Sequence, residues 1–204
     1  ASVKQGEVLM TVRGDTRAIL LAERTALNFL GHLSGIATLT RTWVDAIAGT
    51  TCEIRDTRKT TPGMRLLEKY AVRMGGGTNH RMSLSDAALI KDNHIAAAGG
   101  VAQAFSKVRA EFPSSEIEIE VDTLDQLREV LPLKPDVVLL DNMSPAQCAE
   151  AVSIVAGATK LEASGGISLE NAKAYASTGV DFLAIGALTH SAPVFDIGLD
   201  MRAE

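Results

Sequence analysis

Residues 136–142 read DVVLLDN, an aliphatic run that ends on two polar residues, Asp141 and Asn142. The run has the length and β-branched content of a short strand, predicted over 136–140. The same figure recurs along the chain: CEIRD at 52–56, AALIK at 87–91, EIEIEV at 116–121, TKLEA at 159–163 and DFLAI at 181–185. Helical stretches are predicted between them, over 63–74, 99–111, 123–131, 144–156 and 168–177. Ser144-Pro145 supplies an N-cap followed by proline at the first helical position, and Asp122-Thr-Leu-Asp and Ser168-Leu-Glu-Asn offer similar starts. Strands that alternate with helices make parallel βαβ units.

Six such units close into a barrel or spread into an open sheet, and length alone does not decide between them. The positions of the polar residues do. Arg58-Lys59 follow the first of these strands and Lys91-Asp92-Asn93-His94 the second. Glu120 and Asp122 end the third, Asp141-Asn142 the fourth, Ser164-Gly165-Gly166 the fifth and Gly186-Ala187 the sixth. Functional candidates at nearly every strand's C-terminal end describe the mouth of a β/α barrel, where late glycine loops hold phosphate. An open sheet would load only the strands at its switch point. The expected fold class is therefore α/β, a parallel β/α barrel.

The first quarter is different. EVLMTVR (7–13) is predicted as a strand closed by Gly14-Asp15. From 16 to 48 the pattern is helical, with Leu20, Leu27, Leu30 and Leu33 on one stripe, and Gly31 with Ser34-Gly35 predicts a break into two helices. Trp43 and Met10 are expected in the core.

Composition excludes several classes. Of 204 residues, 46% are hydrophobic and only 4% aromatic, with 17 glycines, which suits layered α/β architecture. The net charge of −5 argues against a nucleic-acid binder, which needs a basic surface. No apolar run approaches the ~20 residues that span a bilayer. Cys52 and Cys148 are too few for a disulfide framework and have no CxxC spacing. His32, His94 and His190 are not at metal-ligand spacing. No signal peptide is visible, although a chain that starts at Ala1 makes this a weak observation. A cytoplasmic location is expected. Charge is uneven: 55–91 carries eight Lys/Arg against three acids, whereas 111–141 carries nine acids against Arg128 and Lys134.

Three constellations carry chemistry. Ser164-Gly165-Gly166 before a helix, and Gly186-Ala187 after the last strand, offer backbone N–H groups to a phosphate. Glu120 and Asp141 end neighbouring strands and can hold Mg2+ through oxygen ligands when phosphates share the metal. Arg58, Lys59, Arg81 and Lys91 gather cations at the same mouth, and Gly75-Gly76-Gly77 before His80-Arg81 lets backbone approach a ligand. The substrates implied are a small, highly charged anion and a phosphorylated, Mg2+-bound partner.

The motifs AERTALNFLGHLSGIAT (22–38), DTRKTTPGMR (56–65), GGGTNHR (75–81), LIKDNH (89–94), EIEVDTL (118–124), LLDNM (139–143), EASGGI (162–167) and IGALTHS (185–191) resemble the quinolinate phosphoribosyltransferase family. The resemblance implies transfer of a phosphoribosyl group from 5-phosphoribosyl 1-pyrophosphate to quinolinate, yielding nicotinate mononucleotide, pyrophosphate and CO2 in NAD biosynthesis. Mg2+ and no organic cofactor are implied. So is a seven-stranded, incompletely closed parallel β/α barrel at 41–191, joined to the end of an N-terminal α/β sandwich domain at 1–40, with a tail at 192–204 packing back on that domain. More of the N-terminal domain would precede Ala1. A homodimer or higher oligomer with sites shared between subunits is implied. By motif, Arg24 (from the neighbour), Thr57, Arg58, His80 and Arg81 bind quinolinate. Lys59 and Lys91 sit at its junction with ribose. Glu120 and Asp141 hold the ribose hydroxyls and Mg2+-pyrophosphate, and Ser164, Gly165, Gly166, Gly186, Ala187 and His190 cradle the 5-phosphate. Two other readings compete. A related group associated with molybdate transport would be expected to lose part of the Arg24/Arg58/Arg81 set, and a truncated barrel could bind anions without turnover.

Overall fold

A computed structural model describes residues 1–201. Fifteen elements follow in order. Helix α1 (Thr16–Ala46) leads to β1 (Glu53–Arg55), α2 (Arg65–Met74), β2 (Ala88–Ile90), α3 (Asp92–Ala98) and α4 (Val101–Glu111). Then come β3 (Ile117–Val121), α5 (Leu124–Val130), a 3-10 turn (Leu131–Leu133), β4 (Val137–Asp141), α6 (Pro145–Val155) and β5 (Lys160–Ser164). The chain finishes with α7 (Ala172–Ala176), β6 (Phe182–Ala184) and α8 (Ala187–His190).

All five strand pairings are parallel, in the order β1-β6-β5-β4-β3-β2. A seventh position exists beside β1. There Thr78 forms a single parallel bridge to Arg55, its N–H donating to the Ile54 carbonyl at 2.8 Å while the Asp56 N–H donates to the Thr78 carbonyl at 3.1 Å. Among the described residues the 78 segment does not pair with β2, so the barrel stays open at that seam, as the family resemblance implies.

Packing explains the registers. In β3 the isoleucines Ile117 and Ile119 alternate with Glu118 and Glu120, and all four are buried. Period two sends the isoleucines to one face and the glutamates to the other. Ile117 and Ile119 belong to the apolar core with Leu127, Val130 and Phe105 of the helices and Leu140, Leu161 and Leu183 of neighbouring strands. Each such side chain contributes about 1.5–3 kcal/mol by burial.

Local differences from the sequence reading have physical causes. Residues 7–13 form no strand and are exposed. Their alternation is of strand type, but a strand exists by pairing, and no described segment offers them an edge. Met10, expected in the core, is 66% exposed for the same reason, whereas Trp43 is buried as expected. Helix α1 is one helix of 31 residues with no break at Gly31 or Gly35. The glycines answer a packing need instead. The tail crosses α1 there, with Phe195 N–H donating to the Gly31 carbonyl at 3.0 Å. A Cβ at Gly31 would lie 2.8 Å from the Phe195 carbonyl oxygen, and one at Gly35 would collide with that of Pro193. Residues 202–204 of the expected tail lie outside the described residues.

The sequence reading missed α3, which Gly99 and Gly100 separate from α4 with φ of 92° and 150°. Helix α7 begins at Ala172, not near Ser168, because the Asn171 side chain holds the preceding residues as a turn. It accepts from Ser168 N–H at 2.8 Å and donates to the Gly166 carbonyl at 3.0 Å.

Candidate active site

Because every strand is parallel, all six C-terminal ends share one rim. One side of that rim carries arginines. Arg58 lies two residues past Asp56 at the end of β1, and His80 and Arg81 follow the Thr78 bridge. The Arg81 guanidinium donates to the Ala87 carbonyl at 2.7 Å, and its Nε and that of Arg58 are buried without a partner. Neither arginine is in an ion pair among the described residues. Burial, and next the Arg58 charge, lower the Arg81 pKa from its ordinary value. Two like charges on this side of the rim thus keep donors to spare. Thr57 accepts the Lys59 N–H at 3.1 Å and so shapes this loop.

His80 is turned inward. Its Nδ1 accepts the Arg81 N–H at 2.8 Å, which leaves the Nε2–H to donate to Glu118, 2.7 Å away, with Glu162 at 3.9 Å. Arg55 closes the cluster on Glu162 at 2.7 Å. Burial, followed by the Glu118 charge, pushes the Glu162 carboxyl up to about 7, against the pull of His80 and Arg55. Glu118 Oε1 and Glu162 Oε1 are buried without hydrogen bonds. The sequence reading missed this charged floor. Its signal was the EIEIEV alternation, which puts Glu118 on the same strand face as Glu120.

Next along the rim, Lys91 reaches Glu120 at 3.2 Å, with the lysine half exposed. Asp141 sits at the end of β4 and accepts from Asn142 Nδ2 at 2.7 Å. The remaining oxygen of each carboxylate makes no hydrogen bond among the described residues. Two hard oxygens on adjacent strands fit Mg2+ shared with a phosphate.

The far side is built from backbone. Asp141 stands in register with Ser164 on β5. Gly165 and Gly166 follow with φ of 86° and 64°, a left-handed pair that glycine adopts readily and that brings bare backbone to the rim. A Cβ at Gly165 would strike the Asn142 side chain. Beyond β6, a Cβ at Gly186 would lie 3.2 Å from both His190 Nε2 and Lys59 Cδ, so Lys59, Gly186 and His190 converge. The Thr189 hydroxyl donates to the Lys59 carbonyl at 2.8 Å and ties the two loops. Ala187 opens α8.

Arg24 is not brought to this rim by any described contact. It lies exposed on the first half of α1 and forms no hydrogen bond or ion pair among the described residues.

An open parallel barrel whose rim gathers arginines, lysines and glycine loops has the form of a β/α-barrel enzyme domain, and comparison with known proteins narrows it. Residues 36–200 match the model of the quinolinate phosphoribosyl transferase C-terminal domain, and residues 1–34 that of its N-terminal domain. The chain is 55% identical over 204 residues to the carboxylating nicotinate-nucleotide pyrophosphorylase of Mycobacterium leprae, covering 98% of this chain and 72% of that protein. It is 46% identical over 198 residues to the probable enzyme of the same name from Bacillus subtilis, covering 97% and 68%. The crystal structure of NadC from Streptococcus pyogenes superposes with a TM-score of 0.87 at 46% identity, over 90% of this chain and 65% of that one. The chain belongs to the quinolinate phosphoribosyltransferase family, a family of pentosyltransferases. These relatives favour the carboxylating pyrophosphorylase reading over the molybdate-associated and non-catalytic ones.

Proposed function

We propose that this site joins quinolinate to 5-phosphoribosyl 1-pyrophosphate and releases pyrophosphate and CO2, leaving nicotinate mononucleotide for NAD synthesis. The observation that carries the reading is Arg58 and Arg81 on one side of the rim, each with a buried, unpartnered Nε atom and neither in an ion pair with a carboxylate among the described residues. A dicarboxylate supplies the two charges they lack. Thr57 and His80 belong to the same acceptor side.

The remaining roles follow the rim. Lys59 and Lys91 neutralise charge where acceptor meets pyrophosphate. Glu120 and Asp141 would bind the ribose hydroxyls and the Mg2+ that accompanies pyrophosphate, and that ion would supply charge neutralisation of the leaving group. Their carboxylates also stabilise positive charge that develops on the sugar as the C1–O bond breaks and the electron pair leaves with pyrophosphate. The pyridine nitrogen of quinolinate bonds to C1. Its new positive charge accepts the electron pair released when the adjacent carboxylate departs as CO2, and C2 then takes up a proton. No organic cofactor enters. Ser164, Gly165, Gly166, Gly186, Ala187 and His190 hold the 5-phosphate.

Residues 1–40 would be the end of an N-terminal domain on which the tail from 192 packs. The working form would be a homodimer whose partner copy supplies Arg24. Support comes from that arginine's exposure and from Leu21, Leu66 and Met74, which are 87%, 71% and 60% exposed on α1 and α2. A cytoplasmic setting agrees with two buried free thiols, Cys52 and Cys148, whose pKa values burial pushes up to about 12 and about 11. No described helix is long and apolar enough to cross a membrane.

Incubation with quinolinate, 5-phosphoribosyl 1-pyrophosphate and Mg2+ should release pyrophosphate and CO2 one for one. Pyrophosphate release without CO2, or equal turnover of nicotinate, would contradict the reading.

A further inference from the structure

Helix α2 carries two cations one turn apart, Arg65 and Lys69, and both are tied by hydrogen bonds to the protein's own loops. Lys69 is 1% exposed and pairs with Asp56, which is 0% exposed. A buried ion pair is weak as a source of stability, since apolar residues of similar volume often serve as well or better. What this pair does is visible in its other bonds. Asp56 Oδ1 also accepts the His80 N–H at 2.8 Å, and Oδ2 accepts Asn79 Nδ2 at 2.6 Å. Lys69 Nζ donates to the His80 carbonyl at 2.8 Å, and the Lys69 carbonyl accepts from Asn79 Nδ2 at 2.9 Å. His80 is therefore gripped by both its N–H and its C=O.

Arg65 repeats the grip one turn nearer the rim. Its Nη1 donates to the Met82 carbonyl at 3.0 Å, its Nε to Thr60 Oγ1 at 3.0 Å and its Nη2 to the Arg58 carbonyl at 3.4 Å. The segment holding Arg58 and the segment holding Arg81 are thus bound to one helix at two levels. Left alone, the two guanidiniums would drift apart, because like charges repel and both lie in a partly desolvated site.

We propose that α2 is a clamp that fixes the distance between Arg58 and Arg81 at the spacing of a dicarboxylate, which makes Asp56, Arg65 and Lys69 positioning residues for acceptor specificity. The inference rests on the dicarboxylate reading above. A monocarboxylate needs only one of the arginines and is insensitive to their spacing; a dicarboxylate needs both at once. Loosening the clamp therefore weakens quinolinate selectively, and small misplacements of binding groups are costly.

Two variants test this. Asp56→Asn combined with Lys69→Met removes the pair without leaving one charge buried alone, and Arg65→Met removes only the upper grip. Calorimetric affinities for quinolinate, nicotinate and 5-phosphoribosyl 1-pyrophosphate are compared with those of the parent protein. Quinolinate should weaken by about tenfold or more in each variant, while nicotinate and 5-phosphoribosyl 1-pyrophosphate change little. Should the double variant fail to fold, Arg65→Met alone decides. An unchanged quinolinate affinity in folded Arg65→Met, or parallel weakening of quinolinate and nicotinate, overturns the clamp and leaves the dicarboxylate reading standing. Equal affinity for quinolinate and nicotinate in the parent protein overturns both.

Discussion

The two sides of the rim are made differently. The phosphate side, after β5 and β6, is backbone: left-handed glycines at 165 and 166 and a close approach at Gly186. The acceptor side, after β1 and the Thr78 bridge, is side chain: two arginines flanking His80, which is bound to a buried floor of Arg55, Glu118 and Glu162. Backbone donors need no countercharge and hold their aim through local conformation. Guanidiniums must be aimed by partners that come from elsewhere in the sequence. Each backbone loop of the first kind is encoded in three or four adjacent residues, whereas the charged floor of the second draws on residues more than a hundred apart, since Arg55 and Glu162 are 107 positions apart.

Substitutions should separate the two sides. The largest effect is expected from Arg58→Ala, which removes one partner of a buried charge contact. Quinolinate affinity should fall by roughly 2–5 kcal/mol, and 5-phosphoribosyl 1-pyrophosphate affinity far less, as read by calorimetry. Gly165→Ala comes next. Its Cβ would meet the Asn142 side chain at a φ of 86°, and forcing that conformation costs about 1–3 kcal/mol. The loss should appear in 5-phosphoribosyl 1-pyrophosphate binding, with quinolinate nearly untouched.

The smallest effect is on pH dependence. The folded pKa of Glu162 lies above its ordinary 4.5, at about 7. The folded protein therefore holds a proton that the unfolded chain has released, and this group's favourable contribution, complete below about 4.5, is lost as pH rises through about 7. Urea unfolding of Glu162→Gln should show a flatter stability profile over that range than the parent. A profile of the same slope would place the proton on another group.

How much was legible follows the same division. The strand ends were readable because each aliphatic run stops on its polar residues, and the glycines after β5 and β6 stood beside them in sequence. The six-strand order and the open seam agree with the barrel reading. Helix α1 was misread as broken because Gly31 and Gly35 signal locally as breakers. Their reason is the Pro193–Phe195 backbone, far along the chain. The clamp on α2 was hidden likewise. Lys69 on a predicted helix reads as solvated, and only the tertiary fold brings Asp56 beneath it. His80 was assigned outward to a ligand by motif, while in this structure both ring nitrogens are engaged within the protein.

The central claim is that the acceptor side and the phosphate side are separable halves of one site. The most direct measurement titrates quinolinate and 5-phosphoribosyl 1-pyrophosphate, each alone, into Arg58→Ala and Gly165→Ala protein in one calorimetric series. The expected result is a crossed pattern, with quinolinate lost in the first and 5-phosphoribosyl 1-pyrophosphate in the second. Equal weakening of both ligands by either substitution would contradict it.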